Sequence, residues 1–131
     1  MDPHPLIFDP DSLYILLSDL GDAYRFHWGI LLATTPTSGT IFHLINPDIS
    51  NKTLWAYETK CSDMVASSAR LLVGVKIAPL EPVLHAAAGD FLKEIPIADS
   101  QRFKENISCR VWVLEALYEL DNSGFINLSR L

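Results

Sequence analysis

The sequence predicts an α+β fold in which an antiparallel sheet of about four or five strands packs against helices. Up to Ile77, runs of apolar, β-branched and aromatic residues alternate with polar turns that contain glycine or proline, which is typical of strands joined by hairpins. Two later segments, 81–94 and 109–120, carry apolar residues at helical spacing instead. At 131 residues the chain is long enough to bury a core, and we take 1–131 as a single domain.

The N-terminal region is predicted to be an extended arm followed by a short helix. Residues 1–10 are rich in proline and aspartate, which favours an extended arm. A helix is expected over 11–20, with Asp11 or Ser12 as its cap. Gly21 is expected to end this helix. The apolar residues that would share one face of it are Leu13, Leu16, Leu17 and Leu20.

The predicted sheet follows this helix. Thr35–Gly39 has the composition of a hairpin loop between the first two strands. Residues 62–68 are small and polar, and we expect a loop before the last strand. The four strands are expected at residues 23–34, 40–46, 54–59 and 70–77.

Two helices are predicted after the sheet. The first covers 81–94, with Pro82 in its first turn and Pro96 beyond its end. The second covers 109–120 and has the clearer pattern, with Ser108 as a suitable N-cap. Asn122–Gly124 is expected to terminate it, because asparagine and glycine are common just past a helix end.

Composition excludes several classes of function. The formal net charge of −6 and the lack of a basic stripe argue against binding to nucleic acid. No apolar stretch approaches the ~20 residues of a membrane span, and residues 1–5 lack the features of a secretory signal. Two cysteines and four scattered histidines provide neither a disulfide framework nor a zinc site. We therefore expect a reduced, cytoplasmic protein with no metal or cofactor; nothing in the sequence predicts its oligomeric state.

Cys109 is the first candidate for chemistry. Capping by Ser108 leaves Cys109 in the first turn of a helix, where free N–H groups and the positive end of the dipole stabilise a thiolate and lower the thiol pKa. The same amides can act as an oxyanion hole. The alternative is that Cys109 is a small buried hydrophobic residue, because its helix face is otherwise apolar.

His27 and His43 are the candidate base and its partner. If the hairpin closes with His43 opposite Gly29, both histidines point to the same face as diagonal neighbours, with Cβ atoms ~7 Å apart. One imidazole then acts as a base and the other orients it. A register slip of one residue would place them on opposite faces. Individually, each is more typical of a half-buried histidine of a strand.

The remaining candidates are aromatic or polar residues near these positions. Tyr24 and Trp28 flank His27, and with Trp55 they are the predicted walls of a substrate cleft. All three are equally suitable as ordinary strand residues. Weaker candidates for an orienting role, which as single polar residues we expect to be solvated, are Asn46, Glu58 and Arg110.

The order of these motifs resembles that of the circularly permuted papain-like thiol enzymes, the group that includes lecithin:retinol acyltransferase and its phospholipid-acting relatives. That group has an H-[WY]-[AG] strand, a histidine on the following strand, and an N-C-x-x-[FW]-[VA] helix. The matching segments are His27-Trp28-Gly29, Gly39–His43 and Ser108–Val113. The resemblance implies that Cys109 is the nucleophile, His27 the base and His43 the third, orienting residue.

The chain departs from that pattern in two places. Ser108 replaces the usual asparagine, and the hairpin loop is longer than in the acyltransferases. No segment resembles the membrane anchor of the vertebrate acyltransferases, so a lipid substrate does not follow from a shared fold. The chain is also similar to small uncharacterised fungal proteins that have a Cys-x-x-Trp-Val helix near the C-terminus.

These inferences give two expectations for function. The first is a hydrolase or acyltransferase in which Cys109, deprotonated by His27, attacks an ester, thioester or amide of a small-molecule or acyl substrate and forms an acyl-enzyme. The second is a module on the same fold that binds a ligand or partner without chemistry.

Overall fold

The computed structural model describes residues 7–22, 25–48, 50–51, 53–63, 65 and 71–128. Within these ranges, five strands form one antiparallel sheet in the order β4-β3-β2-β1-β5, and two α-helices follow. The α+β class and the antiparallel sheet are therefore confirmed. The elements are β1 Ser12–Asp22, β2 Arg25–Ala33, β3 Gly39–Ile45, β4 Ala56–Ser62, β5 Leu71–Pro79, α1 His85–Lys93 and α2 Cys109–Asn122.

β1 lies inside the sheet, and the helix predicted over 11–20 is wrong. The strand pairs with β2 on one side and with β5 on the other. Leu13 and Ile15 pack into the main core, whereas Tyr14 and Leu16 pack into a smaller cluster on the opposite face. A strand covered on both faces has a continuous apolar run instead of an alternating one, so chance spacings of three and four between leucines resembled a helix.

The β2–β3 hairpin agrees with the prediction. Its pairing runs from Ala33 opposite Gly39 to Ile30 opposite Phe42. Gly39 is required by close approach of the two strands, since a Cβ atom there would lie 2.2 Å from the carbonyl oxygen of Leu32. Glycine at this position therefore helps to set the register of the hairpin.

The later elements also lie close to their predicted positions. β4 begins at Ala56 instead of residue 54, and β5 ends at Pro79 instead of residue 77. Only part of the loop expected over 62–68 lies within the described residues. A 3₁₀ turn over Pro82–Leu84 precedes α1. None of the helices in the described ranges is long and apolar enough to cross a membrane.

The two faces of the sheet are covered differently. The main core lies on the face that α1 and α2 cover, and Leu92 and Trp112 are completely buried there. On the other face, Phe8 and Val65 pack with the smaller cluster. The amide of Phe8 also donates to the carbonyl oxygen of Pro36 at 2.9 Å. This part of the predicted arm therefore packs on the sheet, while residues 1–6 lie outside the described residues.

Candidate functional site

The N-terminus of α2 brings Cys109 to strand β2. Ser108 caps the helix, because its side-chain oxygen accepts a hydrogen bond from the amide of Val111 at 3.2 Å. The thiol of Cys109, in the first helical residue, donates to the carbonyl oxygen of Phe26 at 3.9 Å. The amide of Trp28 also faces the sulfur. Cys109 therefore contacts the main chain on both sides of His27, although Cys109 and Phe26 are 83 positions apart in the sequence.

Burial controls the charge of this thiol. Cys109 is 8% exposed, and burial raises its pKa above the ordinary value. The main-chain amides of Trp28, Arg110 and Cys109 itself act in the opposite direction but do not offset the burial. The expected lowering of the pKa by the helix terminus is thus outweighed, and the free protein holds a neutral thiol.

His27 and His43 are in direct contact. Nε2 of His27 lies 2.7 Å from Nδ1 of His43, within hydrogen-bond distance, and the ring centroids are 4.8 Å apart. The β2–β3 pairing ends at Ile30 and Phe42, and the next residues along, Gly29 and His43, are still neighbours, because a Cβ atom at Gly29 would lie 3.4 Å from the Cβ atom of His43. The predicted register, with both imidazoles on one face, is confirmed.

Glu58 extends this pair into a chain of three side chains. It lies directly opposite His43 in the β3–β4 pairing, and its Oε1 atom is 2.8 Å from Nε2 of His43. His43 is buried, whereas the side chain of Glu58 is 43% exposed. The sequence predicts a solvated Glu58, because the connection before β4 gives no signal that fixes the β3–β4 register.

The pKa of His27 is lowered to about 4. Desolvation of the half-buried ring is the largest cause, and the neighbouring His43 adds to it, while the charge of Glu58 acts in the opposite direction. His27 is therefore a neutral imidazole at physiological pH. A neutral imidazole has one nitrogen with a free lone pair, which a base requires.

The thiol and the imidazole approach β2 from different faces. Trp28 packs into the main core beneath α2, so the alternation of the strand places the His27 ring on the opposite face. No hydrogen bond joins Cys109 to His27 among the described contacts. Because its Nε2 atom bonds to His43 on the neighbouring strand, the His27 ring reaches from β2 towards β3.

The sulfur lies beside the edge of β2 that faces β3. The carbonyl oxygen of Ala33 accepts from the amide of Asp11 next to β1, so the main-chain groups of Ala33 face β1. Because successive residues of a strand direct their main-chain groups to alternate sides, the main-chain groups of Phe26 and Trp28 face β3. These are the groups next to the sulfur. The sulfur therefore lies at this edge of β2, and the His27 ring projects from the face of the strand opposite α2.

Residues 11–130 match a family of unknown function, DUF6914. The chain belongs to the DUF6914 family. No curated protein and no solved structure matches it significantly.

Two of the aromatic residues that are predicted to wall a cleft in this DUF6914 chain, Trp28 and Trp55, are not on an open surface. Trp28 and Trp55 are half-buried and pack against the main core, and Tyr24 lies outside the described residues. Tyr57 packs on Trp112 with ring centroids 5.6 Å apart, and burial raises the pKa of its phenol to about 12. The role of Trp28, Trp55 and Tyr24 in substrate binding stays a prediction.

Other polar side chains serve local structure. Asn46 bonds to main-chain atoms of Asp48 and Asn51, and Arg110 forms an ion pair with Glu105. In the part of the DUF6914 chain that the structure describes, no cluster of three or more His, Cys, Asp or Glu side chains is placed to hold a metal ion.

A surface groove of about 510 Å³ lies at a distance from these residues, between the end of α1, the segment after it and α2. Phe91 and Pro96 form part of its apolar wall, and Arg102 and Glu115 lie at its polar side. Neither Cys109 nor the two histidines line it.

Proposed function

We propose that this DUF6914 chain is a cysteine-dependent hydrolase or acyltransferase that acts on an ester, thioester or amide through an acyl-enzyme. The observation that carries the proposal is the contact of the Cys109 sulfur with the main chain on both sides of His27, whose imidazole is linked to His43 and Glu58. In this proposal Cys109 is the nucleophile, His27 is the base, and His43 and Glu58 orient the base.

The proposed reaction begins from two neutral groups. As the sulfur attacks the substrate carbonyl carbon, the thiol proton passes to the free nitrogen of His27 and the carbonyl oxygen becomes negatively charged. The amides of Trp28 and Arg110, which face the sulfur, are the candidate donors to that oxygen. The C–S bond is then complete, and the leaving group departs with the proton from His27.

The second half of the reaction restores the thiol. Water, an alcohol or an amine attacks the thioester carbonyl while His27 takes a proton from it, and the sulfur leaves and recovers that proton. In the resting arrangement the thiol donates to the carbonyl oxygen of Phe26. The proposal therefore requires the thiol to turn from this oxygen towards His27 when substrate binds.

The test uses the purified full chain with p-nitrophenyl butyrate and a butyryl thioester. We expect a butyryl adduct on Cys109 by intact-protein and peptide mass spectrometry, followed by turnover. Cys109→Ala should abolish both. Cys61→Ala is the matched control, because Cys61 is the exposed cysteine and lies on β4. Turnover that survives in Cys109→Ala would disprove the mechanism.

A ligand-binding module without chemistry is the second candidate. The burial of Cys109 and the position of the 510 Å³ groove away from it favour this candidate. Acylation rates of the two cysteines separate the candidates within one molecule. The enzyme predicts that Cys109 is acylated faster than Cys61 and that His27→Ala slows this by at least about 100-fold. The module predicts that Cys109 is the slower residue and is indifferent to His27.

A further inference from the structure

The hydrogen-bonded chain from Glu58 to His27 constrains where its protons lie. A carboxylate can only accept hydrogen bonds, so the Nε2 atom of His43, 2.8 Å from Oε1 of Glu58, must carry a hydrogen. In a neutral imidazole the other nitrogen then has a free lone pair. The Nδ1 atom of His43 is therefore an acceptor.

This acceptor fixes the state of the next ring. Nε2 of His27 lies 2.7 Å from Nδ1 of His43, so with His43 in its neutral form Nε2 of His27 is the donor. A neutral His27 with hydrogen on Nε2 has its lone pair on Nδ1. The direction of the whole chain is thus set by Glu58, the one member that has no hydrogen to donate.

We infer that Glu58 is a positioning residue that fixes Nδ1 of His27 as the atom that receives the thiol proton. This inference rests on the proposed function for its catalytic meaning, although the proton arrangement itself can be measured without any reaction. Without the carboxylate, the two histidines can exchange donor and acceptor roles, and the reversed arrangement places the hydrogen of His27 on Nδ1, where no proton can be received.

The location of Glu58 makes the inference testable. It lies on β4, an edge strand of the sheet, and its side chain is 43% exposed. Glu58→Gln keeps the size of the side chain, but a carboxamide can both donate and accept, so it no longer dictates the direction of the chain. Glu81→Gln is the matched control, because Glu81 is an exposed glutamate just before the 3₁₀ turn that precedes α1.

The first measurement is ¹⁵N NMR of the imidazole nitrogens in the full chain at pH 7. The chain has only four histidines, and His27→Gln and His43→Gln assign the two of interest. In the parent chain and in the control variant, we expect the rings of His27 and His43 to carry hydrogen on Nε2 and to have a free Nδ1. Glu58→Gln should give a mixture of the two tautomers. An unchanged tautomer pattern in Glu58→Gln would overturn the inference, whether or not the chain turns over a substrate.

The second measurement is the rate at which p-nitrophenyl butyrate acylates Cys109. We expect a fall of about 10- to 100-fold in Glu58→Gln with KM unchanged, because the reversed tautomer removes the base and leaves binding intact. Glu81→Gln should keep the parent rate. A tautomer change with no fall in rate would remove Glu58 from the reaction. If the parent chain itself is not acylated at Cys109, the proposed function fails while the NMR result stands.

Discussion

At the scale of single residues, Cys109 and His27 rest as two neutral groups for the same physical reason. Burial disfavours a charge on either side chain, so it raises the pKa of the thiol and lowers the pKa of the imidazole to about 4. A resting thiolate–imidazolium pair would require both shifts to have the opposite sign. The site therefore favours a base that takes the proton during the attack itself over a thiolate formed in advance.

This state predicts a distinctive pH dependence. In a Cys61→Ala background, the rate at which iodoacetamide alkylates Cys109 should still be rising at pH 9, because this reagent reacts with the thiolate and burial raises the pKa of the thiol. Acylation by p-nitrophenyl butyrate should instead stay level from about pH 5 to pH 8, since His27 is already neutral in this range. An alkylation rate that levels off below pH 7 would indicate a preformed thiolate and contradict the argument.

At the scale of secondary-structure elements, the start of α2 couples stability to the position of the thiol. Ser108 holds the first turn through its bond to the amide of Val111, and Cys109 is the next residue along the chain. A loosened first turn would move the sulfur relative to Phe26 and Trp28. The cap therefore contributes to the site as well as to the helix.

Ser108→Ala should lower the free energy of unfolding by about 1 kcal/mol, because an N-cap hydrogen bond is lost. Ser108→Asp should restore that stability, but its negative charge beside Cys109 should raise the thiol pKa further and slow alkylation. Urea denaturation and iodoacetamide rates measure the two effects. Ser123→Ala, at the exposed C-terminal end of α2, is the control and should change neither. If iodoacetamide alkylates Cys109 in Ser108→Asp at the parent rate, the prediction that the cap residue affects the thiol pKa is wrong.

Elements with a local signal could be predicted from the sequence, and those defined by distant pairing could not. The β2–β3 hairpin was predicted because its loop composition and alternation are local, and α2 because its cap and apolar spacing are local. The sequence predicts a helix at β1 because both faces of this strand are buried, one in the main core and one in the smaller cluster, so its residues do not alternate between apolar and polar. The contact of Glu58 with His43 could not be predicted for a related reason, because it depends on the β3–β4 register.

At the scale of the whole molecule, three titratable groups that are buried or half-buried are neutral together over a limited pH range. His27 has its pKa lowered to about 4 from 6.5, whereas burial raises the pKa of Cys109 and raises that of Tyr57 to about 12 from 10.0. A lowered histidine pKa means that the unfolded chain binds more protons than the folded one between about pH 4 and 6.5. Its contribution to stability is therefore present above pH 6.5 and is lost as the pH falls towards 4.

The two raised values act at the alkaline end with the opposite sign. The unfolded chain loses the protons of Cys109 and Tyr57 near their ordinary values of 9.0 and 10.0, while the folded chain retains them. The stability that these groups contribute is present below pH 9 and declines as the pH rises beyond it. Stability should consequently be greatest between about pH 6.5 and 9.

His27→Gln tests the acid side of this range. Glutamine cannot gain a proton, so the variant should lose less free energy of unfolding than the parent chain when the pH falls from 6.5 to 4.5. Urea denaturation at both pH values gives the two differences, and their comparison cancels the carboxylates that titrate in both proteins. His85→Gln is the control for replacing a histidine, because His85 bonds to the carbonyl oxygen of Leu80, far from the pair. Equal acid losses in His27→Gln and the parent chain would show that the His27 ring is not buried as a neutral group, and the resting state on which the proposed reaction depends would be wrong.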